Sequence, residues 1–168
     1  MKDLELTYGT TTTGIIRYSD ANHASQYHCH SISGYTFLVN GGAVSWSSKR
    51  QPLVALSTTN AEYIAATHVM KEALWLRAFL GEVVRPLSTP TMLNCDNQAT
   101  IALSKDGQFH ARTRHIDLQF HFIHEAVADG TITLTYCPTQ VMMADIPTKL
   151  LNCRKTGELA GSLGLLPP

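Results

Sequence analysis

The sequence predicts an α/β fold in which one mixed β-sheet is covered by helices. Two kinds of pattern support this fold class. The N-terminal half contains a β-rich strand and a hairpin that lead into a long amphipathic helix. The C-terminal half alternates short strands with helices, so that the whole order is β-β-β-α-β-α-α-β-α. An antiparallel start followed by βα alternation is typical of a mixed sheet.

The first three strands are predicted from β-rich segments and a turn. The segment GIIRYSDA, residues 14 to 21, predicts a strand that ends near Asp20. Residues 33 to 49, SGYTFLVNGGAVSWSSK, predict a hairpin because two β-rich arms meet at Asn40-Gly41-Gly42. Asparagine and glycine adopt the left-handed backbone that tight hairpin turns need.

The strongest helix signal covers residues 59 to about 80. One face carries residues at helical spacing, namely Glu62, Ala66, Val69, Ala73, Leu76 and Leu80. Gly81 then predicts the end of the helix. Later segments alternate, with strands at 91–96 and 131–138, helices at 97–105 and 113–129, and weaker helices at 142–150 and 155–164.

The bulk composition indicates one globular domain over residues 1–168, with a core at about 14–150 and a short C-terminal helical tail at 151–168. The chain is 44% hydrophobic and 15% charged, with no apolar run long enough to span a membrane. No signal-type segment opens it, which predicts an intracellular protein, cytoplasmic or nuclear. Thirteen basic residues balance thirteen acidic ones, so a nucleic-acid partner would require local basic clusters.

Cysteine and histidine positions give little support for a metal site of the zinc type. The cysteines are scattered without a CxxC pair, at Cys29, Cys95, Cys137 and Cys153. Reduced packing residues are the expected interpretation. A zinc site built from His115, His121, His124 and Cys137 is the alternative, but their spacing matches no zinc signature.

Four acidic residues are candidates for chemistry, and each also has a structural interpretation. Asp20 and Asp96 follow predicted strands, where ligands of α/β sheets gather, but Asp20 could form an Asx-turn and Asp96 could cap a helix. Thr59 and Glu62 have capping-box spacing, although Glu62 also lies on the apolar face of its helix. Asp145 could be a solvated residue of a short helix.

Taken together, these carboxylates suggest a metal-dependent chemistry. Converging carboxylates repel one another unless cations lie between them, and oxygen ligands suit Mg²⁺. Two such ions can activate a water and stabilise the leaving oxygen of a phosphodiester. The spacing alone does not establish that the four residues converge.

Basic residues offer candidate phosphate contacts. The run HARTRH, residues 110 to 115, concentrates Arg112, Arg114 and His115 before a helix. Lys49 and Lys149 are weaker candidates of the same kind. Contacts to phosphate would be salt-sensitive and independent of base sequence, and a solvated basic loop is the alternative interpretation. Trp46 and Trp75 are expected to pack in the core or on the sheet.

Several stretches match one family in order along almost the whole chain. They are YSDA (18–21), SISGYTF (31–37), GGAVSWSSKRQPLVALSTTNAEYIA (41–65), KEALWLR (71–77), CDNQATIAL (95–103), HARTRHIDLQFHFI (110–123) and ADIPTK (144–149). On these residues the chain resembles the ribonuclease H domain of copia-type LTR retrotransposon Pol polyproteins.

The resemblance implies a fold, an activity and a site. The fold is a ribonuclease H-like, five-stranded mixed sheet with a three-strand antiparallel meander, two parallel strands and flanking helices. The activity is hydrolysis of the RNA strand of RNA·DNA hybrids with two Mg²⁺ ions, for which Mn²⁺ can substitute. The implied metal ligands and catalytic residues are Asp20, Glu62, Asp96 and Asp145. The implied substrate contacts are Arg112, Arg114, His115 and Lys49. The expected partners are the hybrid and the upstream reverse transcriptase region, with no membrane.

The chain also departs from the family pattern. SDANHAS stands where SDADWAG is usual, and His28-Cys29-His30 replaces a basic pair. Pro147 follows Asp145 closely, and a proline there is compatible only with the start of a helix. The alternative functions are a catalytically inactive module that binds hybrid or reverse transcriptase, and an integrase-type transferase. The order of the acidic residues disfavours the transferase.

Overall fold

The computed structural model describes residues 3–9, 15–24, 29–83, 88–105 and 114–168. The side chains of residues 114–118 are outside that description. The strands are β1 (Glu5–Leu6), β2 (Ile15–Asn22), β3 (Ile32–Val39), β4 (Gly42–Arg50), β5 (Thr91–Cys95), β6 (Ile132–Tyr136) and β7 (Leu165–Leu166). The helices are α1 (Thr58–Val83), α2 (Gln98–Lys105), α3 (Arg114–Ala128), α4 (Asp145–Thr148) and α5 (Cys153–Ser162).

Five strands form one mixed sheet in the order β4-β3-β2-β5-β6. The pairs β2-β3 and β3-β4 are antiparallel, whereas β2-β5 and β5-β6 are parallel. The predicted meander with two added parallel strands is therefore confirmed. Strands β3 and β4 lie on one side of β2, and the later strands β5 and β6 lie on the other side. The ends of the parallel strands β2 and β5 therefore lie side by side, at the position where α/β sheets place their ligand sites.

The β3-β4 hairpin has the predicted turn. Asn40 and Gly41 have φ angles of 49° and 81°, so both central residues are in the left-handed region. This backbone is the one that two-residue hairpin turns require. Gly42 is already the first residue of β4.

Helix α1 is longer than predicted, and its start differs from the prediction. It continues to Val83, so the predicted stop at Gly81 is wrong; an interior glycine costs about 1 kcal/mol but does not end a well-packed helix. At the N-terminus, the backbone N–H of Asn60 donates to Ser57 Oγ at 3.1 Å. Ser57 thus caps the helix, and the capping-box interpretation of Thr59 and Glu62 is wrong.

The core lies between α1 and the sheet. Its fully buried side chains include Tyr63, Val69 and Met70 of α1 and Phe37 and Leu93 of the sheet. The tryptophans are outside this core, contrary to expectation. Trp46 and Trp75 are 66% and 58% exposed, and Trp75 stacks on Phe79 at the helix surface.

The C-terminal segment packs back onto the meander. Strand β7 pairs with β1, and the Leu163 carbonyl accepts a hydrogen bond from the Ala43 N–H at 3.0 Å. The weak helix predicted at 142–150 is shortened to the four residues of α4, and a 3-10 turn, Thr139–Val141, precedes it. That arrangement brings α4 against β2, β3 and β4.

Candidate active site

Asp20 lies inside β2 rather than in a turn at its end. The strand continues to Asn22, and Asp20 is paired with Gly34 of β3, so the Asx-turn alternative is wrong. The side chain is almost fully buried, and Thr148 Oγ1 donates a hydrogen bond to Asp20 Oδ2. Lys149 Nζ lies 2.9 Å from Oδ1. Burial raises the pKa of Asp20, while Thr148 and Lys149 oppose that shift.

Glu62 projects from α1 towards the end of β2, the strand that contains Asp20. Its Oε1 accepts a hydrogen bond from the Ala21 N–H at 3.1 Å, next to Asp20 in β2. Its Oε2 is buried and, within the part of the chain that the structure describes, has no hydrogen-bond partner. Burial, followed by the Asp20 and Asp96 carboxylates, raises the pKa of Glu62 to about 9. The carboxylate is thus directed at the other acids.

Asp96 directly follows β5, at the strand end that adjoins β2. The helix cap that it could have provided comes from its neighbour, since the Thr100 N–H donates to Asn97 Oδ1 at 3.0 Å. The capping alternative for Asp96 is therefore wrong. Its carboxylate instead accepts a hydrogen bond at Oδ2 from Thr139 Oγ1, at 2.9 Å.

Asp145 begins α4 and is buried, so the solvated-residue alternative is wrong. Its Oδ1 lies 2.6 Å from Lys149 Nζ. Pro147 occupies the first turn of α4, where its missing N–H breaks no helical hydrogen bond, as the sequence required. Both Pro147 and Thr148 press on Gly34 of β3: a Cβ there would overlap Thr148 Cγ2 and approach Pro147 Cγ to 3.0 Å.

The four acids form two connected halves of one site. In the first half, ligand atoms of Glu62, Asp96 and Cys95 lie within 4.8 Å of one another. In the second half, the Lys149 ammonium bridges Asp20 and Asp145. Asp20 also raises the pKa of Glu62, which connects the two halves electrostatically.

Cys95 lies beside Glu62 and Asp96 and is a free, buried residue of the core, as the sequence predicts. Burial, followed by the charge of Glu62, raises the pKa of the Cys95 thiol to about 12. A neutral thiol is a poor metal ligand, so the group offers mainly carboxylate oxygens. Among the described residues, the zinc alternative with His121, His124 and Cys137 forms no such group.

The ion pairs of Lys149 and the hydrogen bond from Thr148 to Asp20 were not expected. The sequence predicts Lys149 only as a weak phosphate contact. The four-residue separation of Asp145 and Lys149 is a helical ion-pair spacing and could have indicated their contact. The contact with Asp20 had no sequence signal, because 129 positions separate the two residues.

The predicted substrate contacts are described only in part. Arg112 lies outside the described residues. Arg114 and His115 begin α3, but their side chains are outside the description. Lys49 is exposed on β4, at a cavity of about 180 Å³ that His68 and Lys71 of α1 also line. Of these residues, only the side chain of Lys49 is described, and none of the four acids lines its cavity.

A divalent cation fits the chemistry of the first half of the site. Glu62 Oε2 is a buried carboxyl oxygen without a hydrogen-bond partner in the described chain, and leaving it unpaired is costly. Asp96 adds a second, partly exposed carboxylate. Hard oxygen ligands with one side open to solvent suit a cation that retains some of its water.

Sequence comparison finds relatives among retrotransposon polyproteins. The chain is 42% identical over 151 residues to the "Retrovirus-related Pol polyprotein from transposon TNT 1-94" of Nicotiana tabacum, covering 89% of this chain and 11% of that protein. It is 32% identical over 160 residues to the transposon RE1 polyprotein of Arabidopsis thaliana, covering 94% and 11%. The chain thus spans about a tenth of the length of these curated relatives. No family model matches it.

Comparison with solved structures identifies the fold. LC11-RNase H1 in complex with RNA/DNA hybrid superposes with a TM-score of 0.58 at 14% identity, covering 80% of this chain and 94% of that one. The foamy viral protease-reverse transcriptase in complex with RNA/DNA hybrid gives 0.54 at 13% identity, covering 76% and 18%. These likenesses show the ribonuclease H fold. Of the helices that the structure describes, none is sufficiently long and apolar to cross a bilayer.

Proposed function

The chain belongs to the ribonuclease H domains of copia-type retrotransposon Pol polyproteins, and we propose that it hydrolyses the RNA strand of RNA·DNA hybrids. It would do so as one part of a longer reverse-transcription polyprotein. The relatives are Pol polyproteins, and two structural neighbours were solved with RNA/DNA hybrid. The polyprotein context and the bound hybrids are properties of those related proteins, and they support the same substrate for this chain.

The observation that carries the proposal is the buried, unpartnered oxygen of Glu62 beside Asp96 and Asp20. Burial, followed by repulsion from Asp20 and Asp96, raises the pKa of Glu62. A protein maintains such a cluster at a cost in stability unless a cation is normally bound there. The same residues are the ones that the family resemblance assigns as ligands.

We assign the cation ligands as Asp20, Glu62, Asp96 and Asp145, with Mg²⁺ as the expected ion and Mn²⁺ as a substitute. When bound, two such ions would supply an activated water and stabilise charge on the departing oxygen of the phosphodiester. The residues of the chain contribute orientation. The Ala21 N–H fixes Glu62, Thr139 fixes Asp96, and Thr148 fixes Asp20.

Hybrid binding would depend on cationic side chains around this site. We propose Lys49, Arg112, Arg114 and His115 as phosphate contacts, as the sequence predicts. The upstream reverse transcriptase region is the proposed partner that would help to hold the substrate. Because phosphate contacts carry no sequence information, cleavage should depend on the form of the duplex and on salt concentration.

The proposal is tested by following end-labelled RNA in a hybrid with Mg²⁺, beside the same RNA single-stranded and in double-stranded RNA. We expect cleavage of the hybrid alone, yielding 3′-hydroxyl and 5′-phosphate ends, and its loss on chelation. A protein that includes the reverse transcriptase region should be assayed in parallel, in case substrate binding needs it. Absence of hybrid cleavage in both proteins would favour an inactive binding module.

A further inference from the structure

Lys149 occupies a position between two carboxylates that a bound cation would also use. Its ammonium lies 2.9 Å from Asp20 Oδ1 and 2.6 Å from Asp145 Oδ1. Both acids are almost fully buried, at 1% and 4% exposure. A cation that bridged this pair would approach the same oxygens to about 2.0–2.1 Å if it were Mg²⁺, so it and the ammonium cannot bridge them together.

We propose that Lys149 is an internal counter-ion that competes with a divalent cation for the Asp20–Asp145 pair. In the metal-free chain it neutralises two buried acids; it leaves that position when a cation binds there. The inference rests on the proposed function only in taking the acidic site as a cation site. It goes beyond the ligand set by assigning a role to a residue that binds no cation.

The position of Lys149 is compatible with both the metal-free state and the cation-bound state. Its backbone is fixed at the end of α4, where its N–H donates to the Asp145 carbonyl at 2.9 Å. Its side chain is 29% exposed, so the ammonium can move into water by rotation about its own bonds. The second contact of Asp20, from Thr148 Oγ1 to Oδ2, does not involve the lysine and holds the carboxylate in place after it moves.

The charges around the pair favour a cation between the two acids. Burial lowers the pKa of Lys149, but hydrogen bonding to Asp145 and the charge of Asp20 raise it above its ordinary value overall. The ammonium also lowers the pKa of Glu62, so its charge acts on both halves of the site. A divalent ion in the same place offers twice the charge and shorter contacts, and therefore a stronger attraction to the acids.

The test is divalent-cation binding without nucleic acid, measured by titration calorimetry with Mn²⁺ and Mg²⁺ alone. Lys149→Met removes the ammonium and retains an unbranched side chain. We expect it to bind the cations at least about tenfold more tightly than the parent, or to bind one more ion, because the competing charge is gone. Lys105→Met, an exposed lysine at the end of α2, is the matched control and should leave binding unchanged.

A second variant and a second measurement protect the test against misfolding. Lys149→Arg keeps the positive charge and should bind cations no more tightly than the parent. Thermal melting should show that Lys149→Met is less stable than the parent in chelator and gains more from added cation. Equal or weaker binding by Lys149→Met, with the fold intact, would overturn the proposal. Hybrid cleavage, assayed separately, tests the proposed function. The counter-ion role of Lys149 and the proposed hydrolysis can therefore be disproved independently.

Discussion

The Glu62 carboxylate of α1 accepts a hydrogen bond from the Ala21 N–H of β2 at 3.1 Å, one residue beyond Asp20. This contact directs an acidic side chain of the longest helix at an acidic residue of the central strand. It also leaves the other oxygen of Glu62 buried and unpartnered within the described chain. The arrangement raises the pKa of Glu62 and makes the metal-free site sensitive to pH.

We predict that the metal-free protein loses stability as pH rises. Burial and the neighbouring acids raise the pKa of Glu62 from 4.5 to about 9 in the folded state. A raised pKa stabilises the fold below the unfolded value, and that contribution is lost as pH rises through the folded value. The free energy of unfolding, measured by urea denaturation in chelator, should therefore fall between pH 5 and pH 9.

Glu62→Gln should flatten this pH dependence while it preserves the hydrogen bond from Ala21. We expect it to gain at least about 1 kcal/mol over the parent at the alkaline end, since one pKa unit corresponds to about 1.4 kcal/mol. Glu82→Gln, at an exposed position of the same helix, is the control and should follow the parent. Parallel curves for Glu62→Gln and the parent would show that Glu62 does not carry the effect.

For Glu62, the sequence predicts the position on the helix but not the contact with the sheet. Helical spacing placed it correctly on the buried face of α1, because that signal depends only on neighbours along the chain. The same local spacing suggested a capping box, which was wrong because Ser57 caps the helix. Its contact with Ala21 joins residues 41 positions apart, and only the packing of the helix on the sheet establishes it.

The rest of the site shows the same difference between features set by local sequence and contacts between distant residues. The order of strands and helices indicates a mixed sheet, and the family resemblance, rather than the spacing, implies that the acids at the ends of β2 and β5 belong to one site. The Lys149–Asp20 pair could not be predicted, because it depends on how the short helix α4 docks onto the sheet. The expected burial of the tryptophans was wrong because their size suggests burial, whereas Trp46 lies on an exposed face of β4 and Trp75 on an exposed face of α1.

We predict that Gly34→Ala displaces α4 from the sheet. The added methyl group would overlap Cγ2 of Thr148, the residue whose hydroxyl fixes Asp20, and α4 would have to shift. We expect a loss of about 1–3 kcal/mol in unfolding free energy, as is usual for overpacking, and a larger loss of metal affinity. Urea denaturation and calorimetry measure the two effects.

Gly157→Ala is the matched control for that substitution. A Cβ at Gly157, in α5, would meet nothing within 4 Å, so the alanine should be neutral or stabilise the helix by up to about 1 kcal/mol. If Gly34→Ala proved as well tolerated as Gly157→Ala, the close packing of α4 on β3 would be contradicted.

Thr139→Val should weaken cation binding at the acidic site with little effect on the free energy of unfolding. Thr139 Oγ1 donates to Asp96 Oδ2 at 2.9 Å, and the threonine itself is exposed. Valine keeps the shape and removes the donor, so we expect about tenfold weaker Mn²⁺ binding or hybrid cleavage, the usual scale for a residue that orients a metal ligand. Thr133→Val, at an exposed position of β6, should change neither. Equal behaviour of the two variants would remove Thr139 from the site.

Lys49→Ala tests the proposed phosphate contact on β4. The exposed ammonium lies near His68 and Lys71, and burial together with these two lysines lowers the pKa of His68. We expect weaker hybrid binding and a salt-dependence slope reduced by about one, as for the loss of one phosphate contact. Arg154→Ala, an exposed cation of α5, is the control. An unchanged slope for Lys49→Ala would exclude Lys49 from the interface.

We propose that the acidic site of this chain cleaves the RNA strand of a hybrid, and one variant tests this assignment. The most direct measurement is the single-turnover rate of hybrid cleavage in Mg²⁺ for the parent and for Asp96→Asn, with equal folding verified by circular dichroism. We predict that the parent cleaves and that the variant is slower by at least about a hundredfold, since a metal-binding carboxylate is lost. Equal rates for the two proteins would contradict the assignment of the site.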